Sequence, residues 1–234
     1  MIDVHSHILP GIDDGSRDYE ESIEMIRCLA DAGVTDIIFT PHYVPDSKWT
    51  STRYKNQRLL ANVRARLERE KIKINIHLGN EIYINTEILD LLATKAISPL
   101  ADSKYVLVEL PMSGEWDGYE DVLLMIKQAG YKPILAHPER YHAFQKDYSL
   151  ITELCNMGIL MQCNLGSIIG QYGRKPRKTI KKMAKDGLIF CLGSDIHRPR
   201  AAADLIKAQA KLSRYYDEAG LKQILDKNPR KILR

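Results

Sequence analysis

Short apolar runs alternate with longer amphipathic stretches along the whole chain. The runs IDVH (2–5), TDIIFTPH (35–42), INIHLGNE (74–81), KYVLVEL (104–110), KPILAH (132–137), ILMQCN (159–164) and LIFCLGSD (188–195) predict strands. Between them lie stretches 19–33, 52–70, 87–95, 119–130, 150–158 and 178–187, with apolar residues at helical spacing. Several end in glycine (Gly33, Gly130, Gly158, Gly187), the residue that most easily takes the left-handed position after a helix. Strands alternating with helices predict βαβ units on a parallel sheet. Seven repeats in 234 residues predict a closed α/β barrel in one domain rather than an open sheet. No GxGxxG turn follows a strand, so a dinucleotide-binding arrangement has no support. The segment from 200 to 234 reads as helical and is expected to pack on the outside of the barrel.

Composition narrows the function without naming it. Hydrophobic residues make up 44% and charged residues 27%, the balance of an ordinary globular chain. A formal net charge of +4 is too mild for a nucleic-acid-coating protein or a strong membrane binder, but suits an anionic substrate. No apolar run approaches the roughly 20 residues of a membrane span. Asp3 and His5 interrupt the N-terminus where a leader would be apolar, so a cytoplasmic location is expected. Cys28, Cys155, Cys163 and Cys191 form no CxxC pair and read as thiols of a reducing compartment, not as a disulfide framework or a zinc knuckle.

Chemistry gathers at the ends of the predicted strands. Residues i and i+2 of a strand share a face, so His5 and His7 project side by side. The second strand ends in His42, the third in Glu81, the fourth in Glu109 and the fifth in His137. The seventh runs into Asp195 and His197, and a Gly-flanked loop after the first carries Asp13 and Asp14. Strand C-termini of a parallel barrel form one rim, so six segments would deliver imidazoles and carboxylates to one place. Alone, each has a bland reading as a satisfied structural histidine or a solvated carboxylate. His77, deeper in its strand, reads as structural, and His142 as a loop residue.

A set of imidazoles and carboxylates without thiolate suits Mn, Fe, Zn or Mg at a hydrolytic centre. His5, His7, His42, His137 and His197 with Asp14, Glu81, Glu109 and Asp195 exceed the needs of one ion and predict two or three, one carboxylate bridging. Three divalent ions would outweigh four carboxylates, attract a phosphate monoester and activate water. Arg140, Arg198 and Arg200 are candidate phosphate clamps, because a guanidinium binds phosphate oxygens in pairs.

The segments DVHSH (3–7), DDG (13–15), TPHY (40–43), GNEIYI (79–84), VELP (108–111), AHPERY (136–141), GSIIGQYG (166–173) and GSDIH (193–197) resemble the polymerase-and-histidinol-phosphatase (PHP) superfamily. Within it the chain is similar to the bacterial protein-tyrosine phosphatases of capsular and exopolysaccharide operons, which HPER and the GSxxGxxG loop single out. The resemblance implies a distorted seven-stranded (β/α) barrel, TIM-like, with three divalent metal ions, usually manganese. It implies one ion on His5, His7, Glu81 and Asp195. A second would share Glu81 and add Glu109 and His137, and a third would take Asp14, His42 and His197. Arg140 would bind phosphate, with Arg198 or Arg200 as a second clamp. The implied partner is the phosphotyrosine tail of a bacterial tyrosine autokinase.

One reading is independent of the resemblance. A cysteine-dependent tyrosine phosphatase needs arginine six residues after its nucleophile. Here those positions are Val34, Met161, Ile169 and His197, so phosphotyrosine cleavage would need metal-activated water. Three rivals remain at this level: a PHP phosphomonoesterase on a small molecule such as histidinol phosphate, a barrel amidohydrolase, and a metal-binding protein that docks a kinase without catalysis. An amidohydrolase would usually bridge its metals with a carbamylated lysine where this chain has Glu81. The amphipathic stretch 17–33 fits either a homo-oligomer contact or a helix packed on its own barrel.

Overall fold

The seven apolar runs become seven neighbouring strand positions, two of them broken in the middle. A computed structural model describes the chain apart from residues 115, 117, 200 and 201 and the side chain of residue 202, so Arg200 lies outside the described residues. The strands are β1 (Ile2–Asp3), β2 (Asp36–Phe39), β3 (His42–Tyr43), β4 (Asn75–Leu78), β5 (Glu81–Tyr83), β6 (Tyr105–Glu109), β7 (Lys132–Ala136), β8 (Leu160–Asn164) and β9 (Cys191–Gly193). All pairings are parallel, in the orders β1-β2-β4 and β3-β5-β6-β7-β8-β9. Asp36 pairs with Asn75 before the break and His42 with Glu81 after it, so the register is unchanged. Pro41 has no N–H to give a ladder, and a Cβ on Gly79 would stand 2.6 Å from Leu100 Cδ2. A bridge between Ser6 and Ile196, with Asp195 N–H donating to His5 O, joins the first position to the last.

Side-chain alternation builds two apolar layers. Ile38, Leu107, Ile134 and Ala136 point into the barrel with Ile2, Val4 and Cys191. Ile37, Phe39, Val106, Val108 and Leu135 point outward to the helices. Burial of each Val, Leu, Ile or Phe among them contributes about 1.5–3 kcal/mol. The covering helices are α1 (Tyr19–Asp31), α2 (Arg53–Arg69), α3 (Ile88–Ala93), α4 (Tyr119–Gln128), α5 (His142–Lys146), α6 (Ser149–Asn156), α7 (Leu165–Ile169), α8 (Arg174–Lys185), α9 (Ala202–Leu212), α10 (Glu218–Lys222) and α11 (Asn228–Ile232). The Asp18 carboxylate caps α1 by accepting from Glu21 N–H at 2.9 Å, and α1 buries Ile23, Ile26 and Leu29 in its own chain's core.

Three expectations change. The GSIIGQYG stretch is not all loop, because residues 165–169 wind into α7. His142 opens α5 rather than lying in a loop. The C-terminal segment is helical, but not only an outer layer: α9 packs on α1 and α7, while Ile232 of α11 joins the barrel interior. That side chain closes the barrel at the pole where the strands begin. The opposite pole is left for polar residues.

Candidate metal centre

Above the inner apolar layer the same alternation turns polar. Tyr105 and Leu107 of β6 are followed on that face by Glu109, and Leu160 of β8 by Gln162 and Asn164. His5 and His7 leave the end of β1 with Nε2 atoms 3.1 Å apart. Glu81 Oε2 lies 3.2 Å from each of them and 3.1 Å from His42 Nδ1. Its other oxygen is 2.9 Å from His137 Nε2, whose next neighbour is Glu109 at 3.6 Å. Asp14 Oδ1 faces His42 Nε2 at 3.4 Å and His197 Nε2 at 3.3 Å. Asp195 Oδ1 stands 3.5–3.6 Å from His5, His7 and His197. All nine candidate ligands therefore converge on one rim. Donor atoms of seven of them fall into three overlapping groups, His5-His7-Glu81, His42-Glu81-Glu109, and His7-Asp14-His42-His197, while His137 and Asp195 border these groups.

Backbone strain helps to aim two of these side chains. His137 and Asp195 have φ of 33° and 49°, the left-handed region that residues with a Cβ seldom occupy. At His137 this turns the chain into the short helical turn Pro138–Arg140, in which Arg140 N–H donates to His137 O at 2.9 Å. The turn sets Arg140 beside the cluster. Its Nη1 donates to Asp195 Oδ2 at 2.8 Å, and its guanidinium lies 4.5 Å above the Tyr172 ring. Arg198 is placed differently: it donates to the backbone carbonyls of Asp14, Gly15 and His197, tying two rim loops together.

The electrostatics call for positive charge at the centre. Burial opposes ionisation of Asp195 and Glu81, but the surrounding histidines outweigh it and hold both carboxyls below the usual range. Burial also opposes charge on His5 and His7, yet nearby carboxylates raise both rings above their ordinary value, Glu81 and Asp195 for His5, Asp13 and Glu81 for His7. Glu109 is pushed up to about 9 by burial and by the neighbouring Glu81 charge. His42 goes the other way, down to about 4, because burial outweighs the carboxylates around it.

The residues fit such ions. Ligand atoms sharing an ion at about 2.1 Å stand roughly 3.0–3.4 Å from each other. The His5-His7-Glu81 triad measures 3.1, 3.2 and 3.2 Å. Glu81 Oε2, His42 Nδ1 and His137 Nδ1 are buried without a hydrogen-bond partner among the described residues. Buried polar atoms left so are rare unless something else satisfies them.

The family model for capsular polysaccharide synthesis proteins CpsB/CapC matches residues 1–234. The chain belongs to that family. It is 34% identical over 223 residues to a putative tyrosine-protein phosphatase CapC of Staphylococcus aureus, covering 93% of this chain and 86% of that one. It is likewise 34% identical over 202 residues to tyrosine-protein phosphatase YwqE of Bacillus subtilis, covering 84% and 77%. A solved structure from work on YwqE of Bacillus subtilis and CpsB of Streptococcus pneumoniae, described as metal-dependent tyrosine phosphatases, superposes with a TM-score of 0.92. The identity there is 29%, over 100% of this chain and 94% of that one. An amidohydrolase of Mycoplasma synoviae shares only the fold, with a TM-score of 0.58 at 13% identity.

Within this CpsB/CapC chain the ligand candidates are held by residues to which sequence reasoning gave no role. Asp13 accepts from His7 Nδ1 at 2.9 Å and from the N–H groups of His42 and Gly15. Gln162 Oε1 accepts from His5 Nδ1 at 2.7 Å. The fully buried Glu139 accepts from Ser167 Oγ at 2.6 Å and Asn164 N–H at 2.9 Å. Thus the HPER turn and the GSIIGQYG stretch, met as separate motifs, are one hydrogen-bonded unit. Trp49 stacks on the His42 ring with centroids 5.2 Å apart. Two amides spaced i, i+2 in an otherwise apolar strand were the available signal for Gln162 and Asn164. Nothing local marks Trp49.

Proposed function

We propose that this protein is a metal-dependent protein-tyrosine phosphatase that acts in capsular or exopolysaccharide synthesis. The observation that carries the reading is the double engagement of Asp195. One oxygen faces the imidazole cluster and the other holds Arg140, so a phosphate-binding guanidinium is fixed at the edge of the cation site. Three divalent ions, manganese foremost with Fe, Zn or Mg as alternatives, would supply Lewis acidity and water activated at neutral pH. His5, His7, Glu81 and Asp195 would hold one, Glu81, Glu109 and His137 a second, and Asp14, His42 and His197 the third. The guanidinium of Arg140 gives one N–H to Asp195 and keeps others to grip phosphate oxygens, while Tyr172 supports its plane. Arg198 serves the site through the loops it ties.

Three of the four thiols are poor nucleophiles. Cys163 and Cys191 are buried, and burial pushes both thiols well up, as it pushes Cys155 up to about 11. The relatives' names support phosphotyrosine as the substrate group. The phosphorylated tail of a tyrosine autokinase is the macromolecule we assign to it. Four unpaired cysteines support a cytoplasmic location, and among the described residues no helix is long and apolar enough to cross a membrane.

The test is a rate assay on chelator-stripped protein given back manganese, with phosphotyrosine peptide, phosphoserine peptide and histidinol phosphate offered side by side. Turnover of phosphotyrosine that vanishes without metal and in His5→Ala is the expected result. Preference for histidinol phosphate would move the substrate to a small molecule. Metal binding with no turnover of any of the three would leave a docking protein.

A further inference from the structure

A groove of about 430 Å³ opens beside Arg140, and Arg140 is one of its walls. His142 and Tyr172 continue the lining, and Arg174 and Lys175 close it at the head of α8. Among the described residues no carboxylate lines it. Among the described residues nothing offsets that charge locally. The first turn of α8 holds no acidic residue, and Arg177 and Lys178 follow directly. Cations at a helix N-terminus sit at the positive end of its dipole, where they are least favourable. Among the described residues none of these four is paired with a carboxylate, whereas Lys182, farther along the same helix, is paired with Asp186 at 2.9 Å. The unneutralised charge is thus concentrated at the end of α8 that meets the candidate active site.

We propose that this groove binds a second anionic group of the substrate, a carboxylate or a phosphate on the polypeptide next to the phosphotyrosine. The proposal rests on the phosphatase reading and deepens it. A recess of 430 Å³ is roughly 8 Å across, the reach of two or three extended residues. With one phosphate on Arg140, an acidic residue or second phosphotyrosine at that spacing meets Arg174 and Lys175. Concavity and the shared Arg140 wall favour a peptide over a flat anionic surface such as a membrane. Such a groove selects acidic or multiply phosphorylated segments and repels basic ones.

The test uses the manganese-loaded full chain and three phosphotyrosine peptides of equal length: neutral flanks, glutamates two and three residues away, and a second phosphotyrosine at that distance. kcat/KM is measured for each, with peptide affinity by fluorescence anisotropy alongside. The expected result is an advantage of about tenfold or more for an anionic peptide, carried by KM and shrinking with salt. Arg174→Glu with Lys175→Glu reverses the order. An advantage confined to glutamate, or to the second phosphate, supports the groove and names its source. Equal values for all three peptides, or an advantage that survives the double charge reversal, overturn the proposal. No turnover of any peptide with the affinity order intact would sink the phosphatase reading and leave the groove standing.

Discussion

Gln162 Oε1 takes the Nδ1 proton of His5 at 2.7 Å, and that bond turns the other ring nitrogen toward the centre of the site. The orientation is inherited from farther away. A carboxylate only accepts, so Asp195 Oδ2 requires the NH₂ of Asn164, 2.6 Å distant. Asn164 then offers its oxygen to the Gln162 amide at 3.0 Å, and Gln162 offers its own oxygen to His5. Asp195 therefore sets the tautomer of His5 through two buried amides while facing the same imidazole from the front.

Gln162→Leu keeps the volume and removes the acceptor. Loss of such a partner typically weakens metal affinity about 10- to 100-fold. The expected outcome is that weakening in competition with a chromogenic chelator, with activity returning at high manganese. Unchanged affinity would show that packing alone aims His5.

The candidate ligands were legible because they are chemically conspicuous residues at the ends of apolar runs. What aims them was not. Asp13 stood beside Asp14 with nothing to say that one would buttress His7 and the other face His42 and His197. Gln162 acts across the sheet, through a pairing that depends on strand neighbours no local pattern reveals. The alternation of strands and helices was plain, but the breaks fall at Pro41, which has no N–H to give, and at Gly79, where a Cβ would stand 2.6 Å from Leu100. Arg198 follows a candidate ligand in sequence, yet backbone carbonyls of the rim loops claim its guanidinium.

Ser167→Ala tests the bond between the HPER turn and α7. It leaves the Glu139 carboxylate buried with one fewer donor. Hydrogen bonds to charged groups contribute about 1.5–3 kcal/mol, and each kcal/mol moves the melting point of a chain this long by roughly 2–4 °C. The expected drop is therefore several degrees by calorimetry. Arg140 rides on the same turn, so KM for a phosphotyrosine peptide should rise as well. A melting point within one degree or so of wild type would mean that Glu139 finds another donor.

Arg140→Lys keeps the charge but loses the planar fork. A lysine can hold Asp195 or the phosphate, but it cannot present paired donors to both. A fall in kcat/KM of about ten- to a hundredfold is expected, equivalent to one lost charge-assisted bond. Metal content should stay at the wild-type level, measured by emission spectroscopy after gel filtration. Loss of metal together with rate would place Arg140 in service of Asp195 rather than of the substrate.

Asp36 offers a pH test at the opposite pole, away from the cation cluster. It begins β2, and its carboxylate accepts from Thr35 Oγ1 at 2.8 Å and Asn75 Nδ2 at 2.9 Å, with His77 Nε2 3.6 Å away. Burial pushes its pKa up, but these three groups outweigh burial and bring it below the ordinary 3.8. A folded-state pKa below the unfolded one means that the folded protein binds fewer protons as the group titrates. The stabilisation is then complete above the unfolded value and is lost as pH falls through the folded one. Asp36→Asn removes the charge and nearly preserves the shape. In chelator, so that metal release does not contribute, wild type should melt above the variant near pH 5. The margin should narrow from there toward about pH 3. A margin that persists unchanged to the acid end would mean that the carboxylate charge contributes nothing and that shape alone matters at this strand start.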